Sequence, residues 1–330
     1  MTLRLLGTGH CVPAAAVPNA EFAKTLDTTD EWIVRRTGIR ERRLCRDETL
    51  LDLALGAAGD ALEQAAESGH GTYSLKGTDP DSGMLPPDTR GGTLPPDAVI
   101  VSSSTLEYHF PPLACQIGTA LGLNGPFCMD VGATCSGFVY ALDIAAHYIN
   151  AGSAGTVLVV AAEKLSPLVD FTDRATCILF GDGAAAAVVT KGDKPYTSYL
   201  ACAADPDRSL YARTGEKMVM NGSGVYKFAV ATAPGAIEAV LRKAGLGLGD
   251  IDWFILHQAN IRIIESIVSR CGIDPDKVPI TLDLYANPSS VTIPLTLDLM
   301  RQDGRLLPGQ RVLTLGFGAG LTYGASIFEI

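Results

Sequence analysis

The chain has 330 residues, 47% hydrophobic and 19% charged, with 35 glycines, which is apolar material enough for one large core or two fused half-domains and excludes a disordered or fibrous chain. Its formal net charge of −10 argues against nucleic acid as the main partner, because phosphate binding needs a basic face. No stretch reaches the roughly 18 uninterrupted apolar residues of a membrane span, and MTLRLLGTGHCVP lacks a charged region leading into a sustained apolar run, so the expectation is a cytoplasmic protein with no membrane contact.

In chain order, TLRLLGTGHCVP opens as a short apolar strand and ends in a Gly/Pro loop that holds His10. Residues 50–67 carry apolar side chains at helical spacing. The segment from Glu67 to about Pro96, rich in Gly, Pro, Asp, Ser and Thr, reads as a long exposed loop with no catalytic part. DAVIVSSST (97–105) is a buried strand, PLACQIGTALGL (112–123) a helix, FCMDVGATC a strand running into a turn, and SGFVYALDIAAHYINAG a helix ended by Gly152. TVLVVAAE (156–163) is an all-apolar strand, and CILFGDGAAAAVVTKG (177–192) reads as two strands joined by Gly-Asp-Gly. A second set follows: a helix over 233–247, a strand over 251–258, helices over 261–272 and 294–303, and strands over 311–318 and 322–330. Continuous apolar strands between helices imply α/β sheets buried on both faces, and the repeated order hints at a duplication, with halves at 1–195 and 196–330.

Eight cysteines without any C-x-x-C pair give poor zinc spacing, so no metal is expected, and most of these thiols read as small buried hydrophobes. Cys135 differs: it sits between an apolar strand and an apolar helix, where unpaired N–H groups and the helix dipole favour thiolate. A core cysteine at a strand–helix junction is the plainer alternative, and this segment alone leaves both open. His257 ends the strand IDWFILHQ, where active-site groups of buried sheets sit, though a satisfied core histidine has the same pattern. Asn287, followed by Pro288, reads as a helix N-cap that can also present its amide to a cavity. GFGAGLTYG (316–324) lacks the third glycine, following helix and acidic residue of a dinucleotide fingerprint, and is better read as a tight turn whose N–H groups suit an oxyanion hole.

DTTDEWIVRRTGIRERR (27–43), HFPPLACQIGTALG, GATCSGFVYAL, FGDGAAAAV, HQANIRII, ANPSSVTIPL and FGAGLTYGAS, in that order, resemble the motifs of the β-ketoacyl-acyl-carrier-protein synthase III family. The resemblance spans the chain apart from the 67–96 segment. It implies a thiolase-like fold of two related α/β halves in five α-β-α-β-α layers, and a catalytic set of Cys135, His257 and Asn287. It further implies oxyanion donors from the backbone of Cys135 and Ala319, Phe317 beneath the site, and Phe110 reaching across a homodimer interface. Trp32 and Arg36 match positions that hold the coenzyme A adenine, and Arg262 a basic residue at the tunnel mouth. An aromatic face beside Arg35, Arg36, Arg40, Arg42 and Arg43 suits adenine and phosphates, though a solvated basic turn has the same composition. Two departures stand out: Ala286-Asn287-Pro288 where the family usually has Gly-Asn-Thr, and Ala319 in place of a glycine.

The chemistry so implied is attack of Cys135 on an acyl-CoA, then decarboxylation of malonyl-acyl-carrier protein with His257 and Asn287 donating to the enolate oxygen. In that scheme His257 is neutral with Nε2 protonated, acyl-CoA and malonyl-acyl-carrier protein are substrates, and no cofactor is needed. Rival readings are a related acyltransferase or secondary-metabolite condensing enzyme with another starter or acceptor, a Cys–His–Asn hydrolase, and a non-catalytic carrier-protein-binding relative.

Overall fold

The structure, a computed structural model, describes residues 1–67 and 95–330, so nearly all of the Gly/Pro-rich segment between Glu67 and Pro96 lies outside the described residues, His70 included. Two sheets carry the fold. The first orders its strands Thr2–Cys11, Gly183–Pro195, Thr156–Glu163, Ala98–Ser102 and Phe127–Val131. The second orders Trp253–Leu256, Arg311–Gly318, Thr322–Glu329 and Thr197–Cys202. Ala98–Ser102 runs parallel to both Phe127–Val131 and Thr156–Glu163, which follow it through helices. Arg311–Gly318 and Thr322–Glu329, joined by a short turn, run antiparallel, as do Thr156–Glu163 and Gly183–Pro195.

Helices Gly137–Asn150 and Thr292–Gln302 lie between the two sheets and touch strands of both. Leu50–Ala65 and Leu113–Ala120 cover the outer face of the first sheet, and Gly222–Ala244 and Ile261–Cys271 that of the second. The order of layers is therefore α-β-α-β-α, the thiolase-like arrangement. Strand periodicity explains how uninterrupted apolar runs serve it. Val157, Val159 and Ala161 face the central helices, while Leu158, Val160 and Ala162 face the outer pair. The same split divides Ala185, Ala187 and Val189 from Ala184, Ala186 and Val188. A sheet between two helical layers has no polar face, and the sequence accordingly has no alternation.

The small residues set the spacing of the layers. A Cβ on Gly7 would lie 2.2 Å from the Ala61 carbonyl oxygen, and one on Gly9 2.5 Å from that of Ala57, so the helix Leu50–Ala65 rests directly on the strand backbone. A Thr49–Asp52 capping box fixes where that helix begins.

Several sequence expectations need correction. The first strand runs on to Cys11, and His10 belongs to it, its Nδ1 2.5 Å from Asp298 Oδ2 on the central helix. CILF is not a strand: Arg174–Cys177 is a helical turn, Phe180 makes one parallel bridge to Asn287, and the strand starts at Gly183. The strand Thr197–Cys202 was not anticipated. Asn287 caps no α-helix; Pro288 precedes the short 3-10 turn Ser289–Val291, and the helix starts at Thr292. The cysteines are all free, but only Cys135 and Cys177 are buried, while Cys202 is exposed. Among the described residues, no helix is long and apolar enough to cross a membrane and no His/Cys/Asp/Glu group is arranged to hold a metal.

The close helix–strand approach makes Gly7→Ala destabilising by about 1–3 kcal/mol, since the added methyl must push backbone aside. Gly235→Ala, with nothing within 4 Å of the new methyl inside a helix, is expected to gain about 0.5–1 kcal/mol. Thermal melts of the two variants check both, and equal shifts would mean that the contact at Gly7 sets no spacing.

Candidate active site

Cys135 stands at the end of a fully described path: the strand Phe127–Val131, a turn, the 3-10 turn Thr134–Ser136, then the central helix Gly137–Asn150. Thr134 takes a left-handed φ of +46°, and its Oγ1 donates to the Ala319 carbonyl at 3.0 Å, tying this turn to the one that follows Gly318. Gly318 is pressed against the cysteine: a Cβ there would lie 2.7 Å from the Cys135 nitrogen. Burial pushes the Cys135 thiol up to about 12. The Ser289 hydroxyl, donating to Sγ at 3.3 Å, pulls the other way, the nearby Glu163 charge adds to the rise, and the thiol's own backbone N–H opposes it. The helix end is expected to favour thiolate; burial acts in the opposite direction and outweighs it, so the thiol form is favoured.

His257 follows the strand Trp253–Leu256, its imidazole edge-on to Phe317 with centroids 5.1 Å apart. Burial alone lowers its pKa to about 3, so the ring is neutral. Nδ1 lies 2.7 Å from Thr292 Oγ1, the first residue of the second central helix. A Thr292 hydroxyl donating to Nδ1 leaves the ring proton on Nε2; donating instead to the Ser289 carbonyl, 3.1 Å away, reverses the tautomer.

Asn287 is held by its backbone to Leu179 and Gly181, and its Oδ1 accepts from the Ser289 N–H at 2.9 Å, which fixes the amide and frees Nδ2 as donor. The preceding Ala286, buried, has φ +56° and ψ −141°, a conformation that glycine enters freely and alanine does not. This gives a physical content to the departure at this position: the methyl is accommodated at a backbone angle where a glycine needs no accommodation.

Cys135, His257, Asn287 and Phe317 line one cavity of about 690 Å³, and Trp32, Arg36 and Arg262 line it as well. The last three, with Arg35, also bound an adjoining cleft of about 250 Å³. Trp32 lies on the helix Asp30–Thr37, and Arg174, which the sequence reading missed, sets its guanidinium 4.7 Å from the indole centroid. Ala319 does not itself line the cavity; its carbonyl is taken by Thr134 and Thr322, and Gly318 forms the wall. Phe110 is not brought to this cavity: it is 83% exposed, near the exposed Tyr108 and Leu106. Also missed were Ser289, Thr292 and Glu163: Ser289 donates to Cys135 Sγ, Thr292 Oγ1 lies against His257 Nδ1, and Glu163 is bound by Ser290. The first two sit within ANPSSVTIPL, where only Asn287 was singled out, and Glu163 ends an apolar strand.

The chain is similar to known proteins over its length. The family model described as 3-oxoacyl-[acyl-carrier-protein (ACP)] synthase III matches residues 129–206, and its C-terminal counterpart matches residues 241–330. A β-ketoacyl-[acyl-carrier-protein] synthase III of Oceanobacillus iheyensis is 39% identical over 329 residues, covering 98% of each chain. Among solved structures, the 3-oxoacyl-[acyl-carrier-protein] synthase III of Aquifex aeolicus VF5 has TM-score 0.88 at 34% identity, covering 99% of this chain and all of its own. The synthase III of Thermus thermophilus has TM-score 0.86 at 37% identity, covering 99% and 98%.

The buried neutral histidine has a stability signature. Its folded pKa lies below the ordinary 6.5, so as pH falls below 6.5 the unfolded chain takes up a proton that the fold refuses. Wild-type protein should therefore lose roughly 2 kcal/mol more than His257→Gln on going from pH 7 to pH 5. Urea unfolding of both proteins at the two pH values measures this, and equal losses would mean that the imidazole is protonated in the fold.

Proposed function

The chain belongs to the 3-oxoacyl-[acyl-carrier-protein] synthase III family of condensing acyltransferases of fatty-acid biosynthesis, and from that premise we propose that its reaction runs through an acyl group carried on Cys135. The observation that carries this reading is the convergence of Cys135, His257 and Asn287 on one cavity whose remaining wall includes Trp32, Arg36 and Arg262. Cys135 Sγ attacks an acyl-CoA thioester, and N–H groups of the Cys135 and Ala319 turns receive the charge on the carbonyl oxygen. The acyl group stays on sulfur and the CoA thiolate leaves.

Malonyl-acyl-carrier protein then offers its thioester carbonyl to two donors, Nε2 of neutral His257 and Nδ2 of Asn287. Loss of carbon dioxide places a negative charge on that oxygen, and donors already desolvated and oriented stabilise it without reorganising. The carbanion attacks the acyl-Cys135 carbonyl and yields the β-ketoacyl product. Each charge is met by a hydrogen-bond donor, so the chemistry calls for no cofactor.

At the mouth, Trp32 with Arg174 offers a stacking face for adenine, and Arg36 and Arg262 offer cations for phosphates of coenzyme A or of a carrier protein's phosphopantetheine. The exposed Phe110, with Tyr108 and Leu106, suits a homodimer interface in which Phe110 enters the neighbouring site. We divide the chain at 195/196 into the two related halves, the first supplying Cys135 and the second His257 and Asn287.

Intact-protein mass spectrometry with a panel of acyl-CoAs tests the reading. One acyl adduct is expected, mapped to the Cys135 peptide and absent from Cys135→Ala. His257→Ala and Asn287→Ala should still take up the acyl group while condensation falls by roughly 10²–10³-fold, the scale for losing an oxyanion donor. An adduct that survives Cys135→Ala would overturn the assignment.

A further inference from the structure

Glu163 is the last residue of a central strand and is completely buried, yet the chemistry just described does not use it. Its Oε2 accepts from the Ser104 N–H and the Thr105 hydroxyl, both at 3.0 Å, and its Oε1 accepts from the Ser290 hydroxyl at 3.0 Å. The next serine back, Ser289, has its hydroxyl on Cys135 Sγ. Ser289 holds a left-handed φ of +53°, which bends the chain so that two consecutive hydroxyls reach the thiol and the carboxyl. The Ser289 hydroxyl is also among the groups that pull the Glu163 carboxyl down, and its chain neighbour Ser290 is hydrogen-bonded to that carboxyl.

We propose that Glu163 accepts the Cys135 proton through the Ser289 hydroxyl during acyl transfer and returns it during condensation. This rests on Cys135 being the acyl carrier. In the first half-reaction the Ser289 hydroxyl, which at rest donates to Sγ, turns to the Glu163 carboxylate and gives up its proton there. The S–H bond breaks as the sulfur–carbonyl carbon bond forms, and Ser289 Oγ takes the thiol proton in exchange. The carbon–sulfur bond to coenzyme A breaks, and the leaving thiolate takes a proton from water. In the second half-reaction the carbanion attacks the acyl carbon, the bond to Cys135 Sγ breaks with its electron pair on sulfur, and the proton held on Glu163 returns by the same path. The thiol and carboxylate are regenerated, and the one proton consumed overall is that taken from solvent by the coenzyme A thiolate.

The alternative base, His257, is poorly suited. Its Nδ1 is engaged with Thr292, and burial makes it too weak a base to hold the thiol proton. Burial, by contrast, raises Glu163 to about 7, near the working pH that suits a general base, against the hydrogen bonds that pull it down. The gap between thiol and carboxyl keeps the resting pair as thiol and carboxylate, so the transfer completes only as the new bond to sulfur forms. The charged neighbours on the packed elements do not compensate Glu163. Lys164 turns to the Glu48 carbonyl and to Glu107, and Asp182, beside the Gly183 that pairs with Glu163, accepts from Cys45 and Ser166. Cys135 is the titratable group whose proton affinity the Glu163 charge raises.

That last effect gives the test a sign. Removing the charge as a mere neighbour lowers the thiol's pKa and speeds Cys135 acylation, whereas removing a proton acceptor slows it. Single-turnover acylation by a short acyl-CoA, read by rapid-quench mass spectrometry from pH 5.5 to 9.5, is the measurement. Wild type should rise through about pH 7 and level off. Glu163→Gln should be about 100-fold slower at pH 7, the scale of general-base loss, and keep rising to the top of the range. Glu163→Asp should recover part of the plateau. Ser289→Ala, which leaves the carboxyl in place, should show the same slow, rising profile and serves if Glu163→Gln does not fold. An unchanged or faster profile in the folded variants overturns the relay while leaving the acyl carrier intact; an adduct on another residue in wild type overturns the carrier itself.

Discussion

Everything reactive in this protein depends on two helices buried between two sheets. Gly137–Asn150 and Thr292–Gln302 begin on buried residues, Gly137 to Val139 in one and Thr292 to Leu295 in the other, so each must find its partners for the orphan N–H groups of its first turn inside the fold. Both begin at the same place: the turn Thr134–Ser136 leads into one, the turn Ser289–Val291 into the other, and the two turns pack together. Two positive helix ends thus converge on one buried spot, where their N–H groups are placed to meet a developing negative charge even though burial disfavours a resting ion.

That arrangement accounts for the state of the groups around it. Desolvation penalises every ion, and the three titratable residues answer alike: Cys135 stays a thiol, His257 an uncharged imidazole, and Glu163 is raised into the neutral range. A site that holds little charge at rest has its dipoles free to meet the charge that appears during reaction. The strained backbone at Thr134, Ala286 and Ser289 belongs to the same economy of space, since all three left-handed residues lie within one or two positions of a cavity-lining residue or of the reactive sulfur.

Much of the fold was legible because the layers impose their periodicity on the sequence. TVLVVAAE is apolar throughout since both faces meet helices, and the glycines of LLGTGH mark where a helix touches backbone. Cys135 and His257 stood out at strand ends with a plain core role left open for each, and the fold brings both to one cavity. The segment CILF misled because burial in a loop packed under the cavity produces the same apolar run as a strand. TSYLAC escaped because an edge strand with one half-open face carries a mixed pattern. The serines of NPSSV were given no part of their own, since Asn287-Pro288 read as the start of a helix; which way a serine hydroxyl points depends on φ, and φ is not written in the residue type.

The contrast between the mouth and the base of the cavity follows from the same physics at longer range. A chain of net charge −10 places Arg36, Arg174 and Arg262 around one opening, where exposure costs a guanidinium nothing in desolvation and screening leaves only short-range attraction. The base, lined by Phe317, Leu179 and Ile178, offers no cation and admits only apolar or neutral groups. A ligand with an anionic end and an uncharged end would meet these two environments in that order, cations at the opening and a charge-poor surface beyond it. Attraction at the opening would offset the cost of moving an uncharged end into a desolvated cavity, and the depth between the two would set which length of ligand could use both.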